Sequence, residues 1–409
     1  MSSTTLTTSA TTTTVAVPAM TIAEPTEGET ARTKLTTRLA RWTQTLNALD
    51  ERLSTPVFAC GFSTAWCELL YSFPAHLFGS SFSVMVMPVW IATLAISSSS
   101  PGASSSDEDE QHSRQRAVVV LHSLTLGLTL LYFVAWLYFQ HYQAQQLLGQ
   151  LFYRPSLYLL GCPWNVAILW TLQTVLLQKQ QPSLARMEDA RMFSLALYPL
   201  FLFPPLVTIV NYLKKTTKRQ RPAYKDWHRN ANDKEDANDD TRKASSSSHQ
   251  DNNNATKQLL WTNKKKYPFM TELLAKYNGD ASFPSGDAAL ATLFALPIYY
   301  IGSTTTNDDH DGDAIGSSSR YYYQGIAVSI VMLSASGRMY VLAHHVLDVT
   351  VGILLSIGLH HLATLLGFGI DQMQWWYPLL TNGLYFGYEQ WRKAKKNQQQ
   401  KMKKDSKNE

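Results

Sequence analysis

Ser336-Gly337-Arg338-Met339-Tyr340-Val341-Leu342-Ala343-His344-His345-Val346-Leu347-Asp348 joins two apolar runs, 321–337 and 346–368. An arginine, a histidine six residues later and an aspartate four beyond that share thirteen positions at a membrane boundary. Ionisable groups at membrane depth are costly to bury and as a rule functional. The two runs themselves set the class of fold.

Further apolar runs lie outward from this stretch. Residues 77–97, 117–139, 157–178 and 192–213 carry no Asp, Glu, Lys or Arg, and each is near the about 20 residues that a bilayer needs. The runs 287–302 and 321–337 are shorter, while 346–368 is full length. Trp and Tyr stand near many of the ends, as interfacial residues do. An eighth stretch, Trp375 to Trp391, is aromatic and interrupted by Pro378; it either crosses the membrane or lies along it. The pattern predicts an all-α, polytopic integral membrane helical bundle of about 6–8 transmembrane helices, its core helices grouped around one active-site face.

Six regions follow. Residues 1–30 are a Thr-rich, low-complexity leader expected to be disordered. Residues 31–76 form an amphipathic, interfacial segment, and 77–213 hold the first transmembrane helices. The polar loop 214–286 contains a disordered insertion at 229–258, rich in Asn, Asp and Ser. Residues 287–368 are a transmembrane core. Residues 369–409 make an aromatic segment followed, from Lys393, by a basic tail. The chain has 409 residues and a net charge of +5. The charge is small and patchy, which excludes a nucleic-acid partner, and the basic residues flank apolar runs instead. A mean hydropathy of -0.16 conceals this alternation. Cys60, Cys67 and Cys162 give neither a disulfide framework nor metal-ligand spacing. No secretory signal is expected in the leader, which reads as a plain disordered tail, with a Ser/Thr-rich transit peptide as the alternative.

If the spans alternate, the loop 214–286 and the turn 338–345 fall on one side. Lys214, Arg221, Ser285, Gly286, Asp287, Arg338 and His344 then meet at helix ends. Lys214, Arg221 and Arg338 supply three cations, and arginine's planar fork suits phosphate oxygens. Ser285 and Gly286 open the helix predicted from about Ala288, where free N–H groups and the helix dipole favour an anion. Phosphoryl transfer is mostly positioning plus charge stabilisation. His344 is the candidate nucleophile. With a helix starting at His344, Asp348 lies one turn on, on the same face, and can orient the imidazole as in a catalytic triad. Taken singly, the lysines and arginines near 214–221 are ordinary flanks of a span. His360 and His361, at mid-span, read as helix-packing residues, and His76 with Glu68 as interfacial ones.

The pattern resembles the type 2 phosphatidic acid phosphatase and vanadium haloperoxidase superfamily. Its first motif (Lys, six residues, Arg-Pro) is met by Lys214, Arg221 and Pro222. Its second, Pro-Ser-Gly-His, is met by Pro284, Ser285 and Gly286, with Asp287 in fourth place. Its third, Ser-Arg, five residues, His, three residues, Asp, is met by Arg338, His344 and Asp348, with Gly337 for the serine. The resemblance covers Lys214 to Asp348. It implies catalytic roles for His344, Asp348 and Asp287 and phosphate binding by Lys214, Arg221, Ser285, Gly286 and Arg338. His344 would form a phosphohistidine with no metal and no cofactor.

The implied activity is a lipid phosphate phosphatase acting on phosphatidate, a sphingoid-base phosphate or a similar membrane lipid. An isoprenoid or other lipid diphosphate, and phosphotransfer between lipids, are the neighbouring readings. Asp287 stands where the family's leaving-group acid does. It is open to three readings: a substitute acid, a substrate whose leaving group needs little protonation, or a catalytically inactive lipid-binding protein. The expected partners are the lipid phosphate and the bilayer. The expected location is the endoplasmic reticulum or another endomembrane, with a plastid as the alternative.

Overall fold

The computed structural model describes residues 31–59, 64–79, 83–98, 122–135, 155–172, 185–219, 221–222, 281–304, 315–374 and 376–405, together with 116, 119 and 120. The leader 1–30, nearly all of the Ser-rich, charged stretch 97–116 and the insertion 229–258 lie outside the described residues. Those described are helical, with no β-strand among them. Met1–Leu49 and Asp50–Glu409 are two compact units. In the first, helix α1 (Ala31–Ala59) begins, and Trp42, Leu46 and Leu49 lie exposed at helical spacing, as an interfacial helix presents them.

The second unit holds α2 (Ala65–Cys67), a π-helical turn (Glu68–Ser72), α3 (Phe73–Gly79), α4 (Ser83–Ser98), α5 (His122–Ala135) and α6 (Pro155–Leu172). The long α7 (Ala185–Thr217) follows, then α8 (Gly286–Thr304), α9 (Ile315–Tyr340), α10 (Val346–Leu365) and α11 (Trp376–Asp405). Helix α8 is the centre. Ala288, Ala289, Ala291, Leu293, Phe294 and Ile298 are each 0% exposed, so the helix is apolar on every side and must be surrounded. Helices α3, α4, α7, α9 and α10 pack around it.

Small and polar residues set the close approaches. A side chain at Gly352 of α10 would run into the Ser285 carbonyl oxygen, and Ser356 Oγ donates to the Ala289 carbonyl at 2.6 Å. Pro204 has no N–H to give the Leu200 carbonyl four residues back. Asn382 Nδ2 of α11 fills that place at 3.0 Å. Asn165 Nδ2 donates to Val84 O at 2.7 Å and ties α6 to α4. His360 bonds Tyr198 Oη through Nδ1 at 2.7 Å, a helix–helix contact as expected.

Phe193–Thr217 and Val346–Leu365 are long and apolar enough to cross a membrane. The pair Ala65–Gly79 and Ser83–Ser97, set at 90°, makes a third if it is one broken span. His122–Ala135 and Gly286–Ile301 are apolar but shorter. The count of six to eight spans therefore rests on the sequence. Three local expectations change. The run 77–97 divides between α3 and α4. The stretch from Trp375 is one helix, because Pro378 falls in the first turn of α11, where a missing N–H costs nothing. The basic tail from Lys393 continues that helix to Asp405.

Candidate active site

Four helices bring their ends to one place. Helices α7 and α9 finish with Lys214 and Arg338 in their last turns, while α8 and α10 begin there with Asp287 and Asp348 in their first turns. Lysine and arginine at C-termini oppose the negative end of the dipole, and the two N-termini offer free N–H groups to an anion. Immediately beyond α7, Arg221 is buried. The sequence-distant groups are thus gathered in one electrostatic cluster: Lys214 interacts with Arg221, Asp287, Arg338 and Asp348, and a Cβ at Gly286 would stand 3.9 Å from Lys214 Nζ.

Ser285 caps α8. Its hydroxyl oxygen accepts the Ala288 N–H at 3.3 Å, which leaves the hydroxyl proton to donate elsewhere. Its own N–H donates to the Asp348 carbonyl at 2.9 Å, joining the second and third motifs through the backbone. Helix α8 starts at Gly286, two residues before the expected Ala288. Asp287 Oδ2 is 2.6 Å from Arg338 Nε, so this carboxylate serves as counter-ion to a guanidinium that is 2% exposed.

His344 departs from expectation. It precedes α10, which begins at Val346 with His345 as its N-cap, so His344 and Asp348 do not share a helix face. They still meet: His344 Nδ1 lies 3.8 Å from Asp348 Oδ2. The turn between α9 and α10 folds the chain back, with Leu342 at φ 55°. The gap exceeds a hydrogen bond by somewhat under ~1 Å, and such contacts tighten when substrate is bound. Burial pushes the His344 imidazole down to about 3, against the pull of Asp348, and Arg221, Arg338 and Lys214 push the same way as burial. Burial and the three cations thus favour the neutral ring at physiological pH.

Asp348 is wholly buried and fully engaged. Oδ2 accepts the His345 N–H at 2.9 Å, and Oδ1 accepts Arg219 Nη1 at 2.7 Å. Arg219 also pairs with Asp50. From α1, Asp50 Oδ1 accepts the Leu347 N–H at 2.8 Å, and Ser54 Oγ accepts the Val346 N–H at 3.0 Å. The first two N–H groups of α10 are therefore capped by a helix almost 300 residues earlier in the chain. Sequence reading missed Asp50 and Ser54 and took Arg219 for a membrane flank. No local spacing marks them; the only hint is that Arg219 sits two residues before Arg221.

His76 is a third omission. It was read as interfacial, yet it is 5% exposed and interacts electrostatically with Arg338 and Asp287. Among the described residues no group of three or more His, Cys, Asp or Glu side chains is placed to hold a metal ion.

Residues 193–370 match the family model of the PAP2 superfamily. No curated protein and no solved structure matches the chain.

Proposed function

We propose, from the match of residues 193–370 to the PAP2 superfamily model and the phosphatase-type activity it suggests, that the protein is a membrane phosphatase that hydrolyses a lipid phosphate through a phosphohistidine. The supporting observation is the gathering of Lys214, Arg221 and Arg338 with the capped start of α8 and the buried imidazole of His344 beside Asp348.

In this mechanism the phosphoryl oxygens lie among the three cations, the Ser285 hydroxyl and the N–H groups that open α8. His344 attacks phosphorus, the P–N bond forms, and the bond to the lipid oxygen breaks. Asp348, fixed by Arg219 and by the His345 N–H, orients the imidazole and balances its positive charge. Water then resolves the phosphohistidine. Of the two helices long and apolar enough to cross a membrane, α7 ends and α10 begins at the cluster, so a lipid tail can remain in the bilayer while its head reaches the cations. We place the protein in an endomembrane, as a multi-pass protein.

The ion pair between Asp287 and Arg338 favours a second substrate class. A carboxylate held by a guanidinium is a poor acid, and a lipid diphosphate has a leaving phosphate that needs little protonation.

The test is a panel of lipid monophosphates and diphosphates offered to the purified protein in detergent, with and without chelator and vanadate. Phosphate release that vanadate suppresses and chelator spares is expected. If no lipid phosphate is turned over, the reading falls, and a lipid-binding role takes its place.

A further inference from the structure

Helix α3 brings one more ionisable side chain to the cluster. Helix α3 meets α8 so closely that a side chain at Gly79 would stand 2.6 Å from Asp287 Cβ. His76 precedes Gly79 by three residues, so the two share a helix face. On the neighbouring face, Ala75 abuts Gly337, the residue before Arg338: a Cβ at Gly337 would lie 2.5 Å from Ala75 Cβ. His76 is thus wedged between α8 at Asp287 and α9 at Arg338, and it interacts electrostatically with both. Its Nε2 is buried and has no hydrogen-bond partner. A buried polar atom left unpartnered is costly, so a group kept that way is a candidate for a contact made only when substrate is present.

We propose that His76 is the proton donor to the leaving oxygen, standing in from α3 for the acid that the second motif lacks at Asp287. This deepens the phosphatase reading, on which it rests, and replaces the diphosphate alternative: with a donor outside the second motif, the substrate is a phosphate monoester, whose alkoxide leaving group requires a proton. In the first step His344 attacks phosphorus and the P–O bond to the lipid breaks. The departing oxygen takes the proton from Nε2 of the His76 imidazolium, giving a free alcohol, phosphohistidine at 344 and neutral His76. In the second step water attacks phosphorus and gives a proton to His76 as the P–N bond breaks, which releases phosphate and restores both histidines. Burial and Arg338 disfavour the imidazolium in the free protein; the anionic phosphate, arriving beside Asp287, supplies the negative charge with which His76 takes up its proton, and Arg338 holds Asp287 in place.

The experiment compares wild type, His76→Ala, His76→Gln, Asp287→Asn and His344→Ala, purified in detergent, on phosphatidate and on p-nitrophenyl phosphate. The nitrophenolate leaves without a proton. Both His76 variants should lose about 10²–10⁴-fold in kcat on phosphatidate, the usual worth of a general acid, and less than about tenfold on the aryl ester. An equal loss on both substrates by His76→Gln, or no loss on either, overturns the proposal. So does the same dependence on leaving group appearing in Asp287→Asn instead, since Asp287 is then the donor. No turnover by the wild type brings down the phosphatase reading itself, and turnover that survives His344→Ala brings down the phosphohistidine, whereas a failure confined to His76 leaves both intact.

Discussion

Arg219 Nη1 donates to Asp348 Oδ1 at 2.7 Å across 129 residues of sequence, and the same guanidinium pairs with Asp50. One arginine therefore fixes both the carboxylate that faces His344 and the helix that caps α10. Asp50 and Asp348 are 2% and 0% exposed. Two such carboxylates need a shared cation, and Arg219, at the end of α7, is placed to provide it.

Removing that cation leaves two buried carboxylates facing each other. Breaking a buried pair costs roughly 3–5 kcal/mol. Arg219→Ala is expected to lower the melting temperature of the detergent-solubilised protein and to reduce kcat at least tenfold. Arg219→Lys, which keeps the charge but not the fork, should recover stability better than activity, since one ammonium cannot bridge both carboxylates in the same geometry. Unchanged melting in Arg219→Ala would show that the bridge carries no weight in the fold.

Nucleophile and orienting residue should separate by degree. His344→Ala is expected to reduce phosphate release by at least about 10³-fold, as loss of a nucleophile does. Asp348→Asn should be severe as well, because the amide can still receive the His345 N–H but no longer balances an imidazolium. Rapid-quench measurement of an acid-labile phosphoenzyme checks the order: none in His344→Ala, slow formation in Asp348→Asn.

The pH dependence of stability follows from the depressed His344. The group is neutral when folded down to about 3, whereas in the unfolded chain it ionises near about 6.5. Folding therefore favours the unprotonated ring. Its contribution is complete above about pH 6.5 and is lost as pH falls toward 3. Thermal melts of wild type and His344→Asn between pH 7 and pH 4 should converge as pH drops, the wild type losing more. Parallel curves would show that the ring is not buried in neutral form.

Gly352 tests packing apart from chemistry. Its Cα lies against the Ser285 carbonyl, so a methyl group there must push α10 from the start of α8. Overpacking of this kind costs about 1–3 kcal/mol. Gly352→Ala should lower the melting temperature and weaken activity together, because Ser285 and Asp348 are joined by the backbone bond at 2.9 Å. Gly358, whose added Cβ would meet nothing within 4 Å, is the control.

The spacing of Arg338, His344 and Asp348, the Pro284-Ser285-Gly286 helix start and the Lys214-to-Arg221 interval were legible because each is local. A motif at a span end needs only the periodicity of its own helix to be located. Even there the local rule misjudged how His344 reaches Asp348. A turn, not a helix face, brings them together, and no pattern of apolar residues encodes a turn closed by distant caps.

The sequence by itself determined the helical class, the apolar runs and the three polar clusters, since hydrophobic run length and residue order within a helix require no knowledge of neighbours. Only the tertiary structure decided the company those clusters keep: Asp50 and Ser54 on α10, Arg219 on Asp348, Asp287 on Arg338, and His76 beside them. These partners come from segments far apart in the chain, and their pairing is fixed by the need to satisfy buried charge and free helix N–H groups, which acts through space and leaves no period in the sequence.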